Sequence, residues 1–288
     1  MTQKNTVMTN DFLNSLQSFL DEEGATYRIV QGVLHVDAEQ GLRVEPVSSE
    51  PVAGALVSVP LEVFVRGSLT VPVFLLPSFA AMAPIFLYED RWWNNPGYWK
   101  ERLRVRLGKA ERIFARNCRI VEPDPASLKI FLAQCHTYGF TKAKHRYALQ
   151  DRDGRVVAVA TFSAPRPMQR GVELVESWEW VRYASLPSLV VVGGMSRLLS
   201  AFVRDVHPQE VMTYADREWS VGNAYRDLGF EAVDRRAPVE FWVDSADWSR
   251  HSVAKINNDR TYRGTVVDYA KGFVIRNLGS EKFLKRYW

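Results

Sequence analysis

The chain has 288 residues, 47% hydrophobic and 24% charged, with a formal net charge of +4 and a pI near 9.0. These proportions are those of an ordinary soluble globular protein large enough for two domains, and the basic excess permits a nucleic-acid partner without requiring one. The 2 cysteines, Cys118 and Cys135, form no C-x-x-C pair and the 5 histidines no H-E-x-x-H. That excludes a disulfide framework and a structural zinc site, and suits a reducing cytoplasm.

The N-terminal MTQKNTVMTNDF lacks the apolar stretch of a signal peptide. An amphipathic helix is predicted from Asn10 to Glu23, with Phe12, Leu13, Leu16, Phe19 and Leu20 inward and Gly24 as its stop. Short strand-like runs follow at Tyr27–Val30, Val33–Val36, Leu42–Val47 and Val52–Val65. Between Arg66 and Glu89 the chain carries no charge, long enough to span a bilayer, but Pro72, Pro77 and Pro84 interrupt any continuous helix. Two buried strands, Thr70–Leu76 and Pro84–Tyr88, are the better reading, with no membrane partner. A helix from Tyr98 to Leu107 is strongly basic: Lys100, Arg102, Arg104, Arg106 and, just beyond it, Lys109. These side chains form either a solvated face or a face that contacts nucleic-acid phosphates.

From Ile113 the pattern changes. A strand at Cys118–Val121 leads through Pro123-Asp124-Pro125 into a helix bearing Leu128, Phe131, Leu132 and Cys135. Strands at Arg146–Gln150 and Val156–Phe162 flank Asp151-Arg152-Asp153-Gly154, a hairpin signal. A long strand follows, Val172–Tyr183. The valines Val190, Val191 and Val192 then run into Gly193-Gly194 and a helix, Ser196–Val206, with Met195, Leu198, Leu199, Phe202 and Val203 on one face. A glycine turn feeding a helix N-terminus is an anion site, because unpaired N–H groups and the helix dipole point into it. A strand Glu210–Tyr214, a helix Ser220–Leu228 and a strand Val239–Val243, expected to close the sheet, complete the pattern.

This order of elements, with a glycine turn after the long strand and a helix ending AYRDLGF, resembles the GNAT superfamily of N-acetyltransferases. The resemblance implies an α/β (α+β) fold with a mixed sheet flanked by helices and a gap between two splayed strands. Acetyl-CoA or another acyl-CoA lies in that gap, its pyrophosphate on the N–H groups of the turn. The implied cofactor-binding residues are Val191, Val192, Gly193, Gly194, Met195, Ser196 and Arg197, with Asn223 on the next helix. Gly194 takes the glycine position of the signature Q/R-x-x-G-x-G/A, whereas Val191 stands at Q/R and Ser196 at G/A. The resemblance also implies catalytic residues: Tyr225 as the acid for a leaving thiolate, Glu179 as a base for the amine, and Asp216 at a strand end. Each has a plainer reading as well: Tyr225 as a core aromatic, Glu179 as an exposed strand carboxylate, Asp216 as a turn cap.

A second resemblance covers more of the chain. LGKAERIFARNCRIVEP (107–123), EWVRY (179–183), VVGGMSRLLSAF (191–202), TYADREWSVGNAYRDLGF (213–230) and GFVIRNLGSEKF (272–283) are similar to phage Hef-like homing-endonuclease relatives. Those proteins join a nuclease domain related to very-short-patch-repair endonucleases to a GNAT-like domain, and FLYEDRWW (86–93) is similar to the element that closes the nuclease domain. The implied organisation is a degenerate restriction-endonuclease-like α/β domain at 1–110, a GNAT-like domain at 111–245 and a C-terminal extension packing on it at 246–288. A nuclease of this kind needs paired carboxylates on Mg²⁺. Glu45 fits the second position, but His35 stands at the first with Asp37 two residues on, so an active nuclease is the least favoured reading. The favoured one is an N-acyltransferase of phage type acting on a nucleic-acid or nucleobase amine, with DNA or a nucleotide as partner. The alternative is an inactive, endonuclease-derived DNA-binding protein.

Overall fold

The computed structural model describes residues 2–30, 33–36, 55–59, 85–220, 222–258 and 268–287. In chain order the elements are α1 (Thr2–Glu22), β1 (Tyr27–Val30), β2 (Val33–Val36), β3 (Ala55–Val59), β4 (Ile85–Tyr88), α2 (Glu89–Asn94) and α3 (Pro96–Arg106). Then come β5 (Glu111–Phe114), β6 (Arg119–Val121), α4 (Pro125–Cys135), β7 (His145–Gln150), β8 (Val156–Phe162), β9 (Arg166–Arg170) and β10 (Glu173–Ser185). After these follow β11 (Leu189–Val192), α5 (Gly194–Val206), β12 (Glu210–Asp216), α6 (Asn223–Asp227) and β13 (Glu231–Arg236). The chain ends with β14 (Glu240–Asp244), β15 (Arg250–Ser252), α7 (Val253–Asn258), β16 (Gly272–Arg276) and β17 (Ser280–Arg286).

These elements form two compact units interleaved in sequence. One comprises Met1–Gly108, Asp216–Val221 and Arg236–Ser280; the other comprises Lys109–Ala215, Gly222–Arg235 and Glu281–Trp288. Of residues 246–288, expected to extend the second domain, those up to Ser280 belong to the first unit.

In the first unit, β1 to β4 form a sheet in sequence order, with β3 and β4 parallel. Helix α1 buries Phe12, Leu16, Phe19 and Leu20 against Leu87, Trp92, Trp99 and Leu103. It stops at Gly24, whose φ of +60° is a conformation costly for other residues. Helix α3 starts where the Asn95 side chain accepts the Tyr98 N–H at 3.1 Å, with Pro96 at its first position. A second small sheet, β15-β14-β16, packs Val243 and Ile275 against Phe86 and Tyr88. Beneath it lies an ionic cluster: the Arg250 guanidinium pairs with Asp90 and, at 3.2 Å, with Glu218, all three buried. It ties together three segments far apart in sequence, which compensates the cost of removing these charges from water. His35 lies on β2, opposite Arg28 and Ala55; Asp37, Glu45 and the strands expected at Leu42–Val47 and Thr70–Leu76 lie outside the described residues.

In the second unit the described residues form a mixed sheet in the order β13-β17-β12-β10-β8-β7-β6, with β9 paired to β10. Helices flank it, as the sequence predicts. Helix α4 begins with the Asp124 carboxylate accepting the Ala126 and Ser127 N–H groups at 3.0 Å. The β7–β8 turn is held by Asp151, which accepts N–H groups of Asp153 and Arg155. Helix α5 lays Leu198, Leu199 and Phe202 into a core with Phe162, Trp178 and Trp180. The Phe162 and Phe202 rings stack 3.9 Å apart. Burying side chains of this size stabilises by about 1.5–3 kcal/mol each.

One expectation is corrected. The strand near Val239–Val243 does not close this sheet: β14 pairs with β15 and β16 in the first unit. The strand between β12 and β13 is β17, with Phe283 fully buried. Both segments are short apolar runs, Phe241-Trp242-Val243 and Phe283-Leu284, flanked by charged residues, and such a run marks a strand without saying which sheet takes it. Among the described residues no helix is long and apolar enough to cross a membrane.

Candidate functional site

The site follows from an interruption in the second unit's sheet. Parallel strands β10 and β12 pair over three rungs, Ser177 with Glu210, Trp178 with Val211 and Glu179 with Met212, and then stop pairing although both continue. On its other edge β10 is antiparallel to β8, and that register shifts between Trp180 and Arg182. Val181 is thus an extra residue, a bulge that bends β10 where it leaves β12. Backbone groups exposed by a broken ladder need partners. The Thr213 hydroxyl donates to the Trp180 carbonyl at 3.0 Å, and the Trp180 indole N–H donates to the Arg182 carbonyl at 3.0 Å.

Two tyrosine hydroxyls occupy the gap. Tyr225, from α6, sets its ring among Trp180, Phe230 and Phe283 at centroid distances of 5.8, 5.8 and 5.5 Å. Its hydroxyl hydrogen-bonds Thr213, and burial pushes its pKa up despite that bond. Tyr183, from β10, has a hydroxyl whose pKa is also raised, first by burial and then by the neighbouring Tyr225. Both phenols are therefore neutral at pH 7, proton donors rather than anions. Gly222, with a φ of +79°, starts α6 against the Phe283 ring and leaves no room for a β-carbon.

The glycine turn adjoins this gap. Gly193 adopts the left-handed conformation (φ +75°) and caps α5, whose first turn carries no side-chain cap. The N–H groups that open the helix are thus free to meet an anion. A β-carbon on Gly194 would come within 2.6 Å of the Tyr183 hydroxyl oxygen, so a hydrogen is required there. The turn and the tyrosine pair form one surface. Met195 is partly buried and Ser196 exposed on the opening turn. Val191 and Val192 sit on β11, paired in parallel with Ile113 and Phe114.

The remaining residues singled out from the sequence lie as follows. Glu179 is at the last paired rung; its backbone N–H donates to the Ser163 hydroxyl at 2.9 Å, and its carboxylate acts on the Arg182 guanidinium. Arg197 donates to the Cys118 carbonyl at 3.0 Å. Asn223 is exposed, its side-chain oxygen accepting from Arg226 at 3.4 Å. Asp216 groups with the first unit, where its carboxylate caps a turn by accepting the Glu218 N–H at 2.9 Å. On α3, Arg102 and Arg106 lie over the Trp219 ring at 4.9 and 5.7 Å, and Lys100 lies 5.5 Å from the Phe19 ring. Arg104 pairs with Glu23 at 2.7 Å and with Glu101 at 2.5 Å. These cations pack their own unit together. Lys109 is exposed beyond the helix.

Thr213, Tyr183 and Trp180 belong to the site but do not stand out in the sequence. The one available signal is a threonine on a buried strand, whose hydroxyl needs a partner. Among the described residues no group of three or more His, Cys, Asp and Glu side chains is placed to hold a metal ion.

No protein family and no curated protein matches the chain. Among solved structures it is similar to the ribosomal-protein-S18-alanine N-acetyltransferase from Escherichia coli (11% identity, TM-score 0.36, 59% of this chain and 93% of that one). It is also similar to a Bacillus subtilis acetyltransferase in complex with CoA (12%, TM-score 0.33, 59% and 99%). A third is a GCN5-related N-acetyltransferase from Kribbella flavida (11%, TM-score 0.34, 60% and 99%).

Proposed function

We propose that the second unit is an acyl-CoA-dependent N-acyltransferase of the GNAT type. The observation that carries this reading is the gap itself. Two parallel strands part at a bulge beside an uncapped helix N-terminus, with half-buried, protonated tyrosines in the opening. In this reading the narrow chain of acyl-CoA lies in the gap, and the opening N–H groups of α5 suit its pyrophosphate. Acyl-CoA supplies the activated acyl group. On the same reading Tyr225 Oη gives the proton that a departing thiolate needs, and Glu179 takes the proton of an attacking amine. Thr213 orients Tyr225 while holding the Trp180 carbonyl.

The acceptor we infer is an amine on a nucleic acid or nucleobase. The chain's net charge of +4 supports this reading. A thiol-release assay with acetyl-CoA and, in parallel, nucleosides, DNA and lysine peptides tests it. Release stimulated by nucleosides or DNA and lost in Tyr225→Phe is the expected result; stimulation by peptides alone overturns the acceptor class.

A further inference from the structure

We propose that the second unit carries another ligand site, a pocket for a small phosphate monoester, separate from the gap and independent of the acyltransferase reading. The pocket, of about 420 Å³, is bounded by β6, β7 and the flank of α5. In the sheet order β6 and β7 form the edge remote from the β10–β12 gap, with β8 in between. The volume suits a metabolite-sized molecule.

The charges in the wall select the ligand. Lys144, Arg146, Arg197 and Arg204 line the pocket together with two carboxylates, Glu122 and Asp205. Both carboxylates are taken: Glu122 pairs with Arg146 at 2.6 Å, and Asp205 with Arg204 at 2.8 Å and with the Tyr147 hydroxyl. Lys144 and Arg197 have no carboxylate partner among the described residues. Arg197 is anchored on one side only, by Nη2 donating to the Cys118 carbonyl, and its Nε is buried without an acceptor. The His145 Nε2 and the Arg146 Nε are likewise buried without a partner. Cations left short of acceptors in a concave wall favour an anion. The surplus of two charges matches a phosphate monoester, which carries nearly two negative charges at pH 7. Arg197 and Arg204, seven residues apart, lie on one side of α5. Ile120, Val121 and Tyr147 add surface for the organic part.

Burial and Lys144 push the His145 pKa down, so the ring is neutral at pH 7 and adds a hydrogen-bonding group rather than charge.

The test is calorimetry on the full chain with ribose 5-phosphate, inorganic phosphate and ribose, which avoid the adenine that a CoA site also accepts. Ribose 5-phosphate is expected to bind at least tenfold more tightly than ribose and in competition with inorganic phosphate. Lys144→Gln is expected to weaken it at least tenfold while leaving the circular dichroism and acetyl-CoA binding unchanged, and Arg197→Gln to weaken it as well. Equal binding of ribose and its phosphate, or unchanged binding by folded Lys144→Gln, overturns the proposal. So does Lys144-dependent binding of a DNA duplex with none of ribose 5-phosphate.

Discussion

The Thr213 hydroxyl donates to the Trp180 carbonyl at 3.0 Å, one residue past the last rung at which β10 and β12 pair. A side chain thus takes over where the backbone ladder ends, and the same hydroxyl meets Tyr225. Thr213→Val leaves a carbonyl and a phenol without their partner. We expect a loss of about 1–3 kcal/mol in unfolding free energy by urea denaturation, with Thr213→Ser much closer to wild type.

The Tyr183 hydroxyl fills the space beside Gly194. Gly194→Ala is expected to destabilise by about 1–3 kcal/mol, because the methyl group and the hydroxyl compete for one volume. Tyr183→Phe removes the hydroxyl and is expected to recover most of the loss in the double variant. Additive effects in the double-mutant cycle would show that the two residues do not meet.

Glu210 is fully buried at the start of β12, bound by Arg170 at 2.5 Å. Burial alone raises its pKa, but the hydrogen bonds and charge of Arg170 outweigh that and hold it below the ordinary carboxylate value of 4.5. A pKa depressed by folding gives stability above the unfolded value and loses it as pH falls. Unfolding free energy is therefore expected to drop below about pH 4.5, and less steeply in Glu210→Gln. At neutral pH, Arg170→Ala removes the close hydrogen-bonded partner of this carboxylate and leaves it only Arg286, 4.0 Å away, at a cost of about 1.5–3 kcal/mol.

In the first unit Arg250 faces Asp90 and Glu218. Burial raises the Glu218 pKa, with Arg250 opposing it. Arg250→Leu leaves the buried Asp90 carboxylate without its guanidinium and Glu218 with only Arg91, 3.8 Å away, and we expect it to abolish the cooperative unfolding of this unit at neutral pH, measured by circular dichroism.

Much of the second unit is legible in the sequence because its signals are local. The caps at Asp124 and Asp151, the stripe Leu198-Leu199-Phe202 and the glycine turn each follow from neighbours a few residues apart. The swap of β14 and β17 between sheets is not legible, since a short apolar run does not name a partner strand. Nor is the bulge at Val181, which only the pairing of β10 with β8 reveals. The tyrosine at 225 stands out through a resemblance, whereas Tyr183 and Thr213 acquire their places only once β10 and β12 part. The basic run of α3 reads as either a solvated face or a phosphate-contacting one until Trp219, more than 100 residues away, is seen beneath Arg102 and Arg106.

The most direct test of the central claim is calorimetric titration of acetyl-CoA into the wild-type chain and Tyr225→Phe. The account expects saturable one-to-one binding by both proteins, with release of CoA thiol to an amine acceptor reduced by at least tenfold in Tyr225→Phe. Absence of binding at millimolar acetyl-CoA would contradict it.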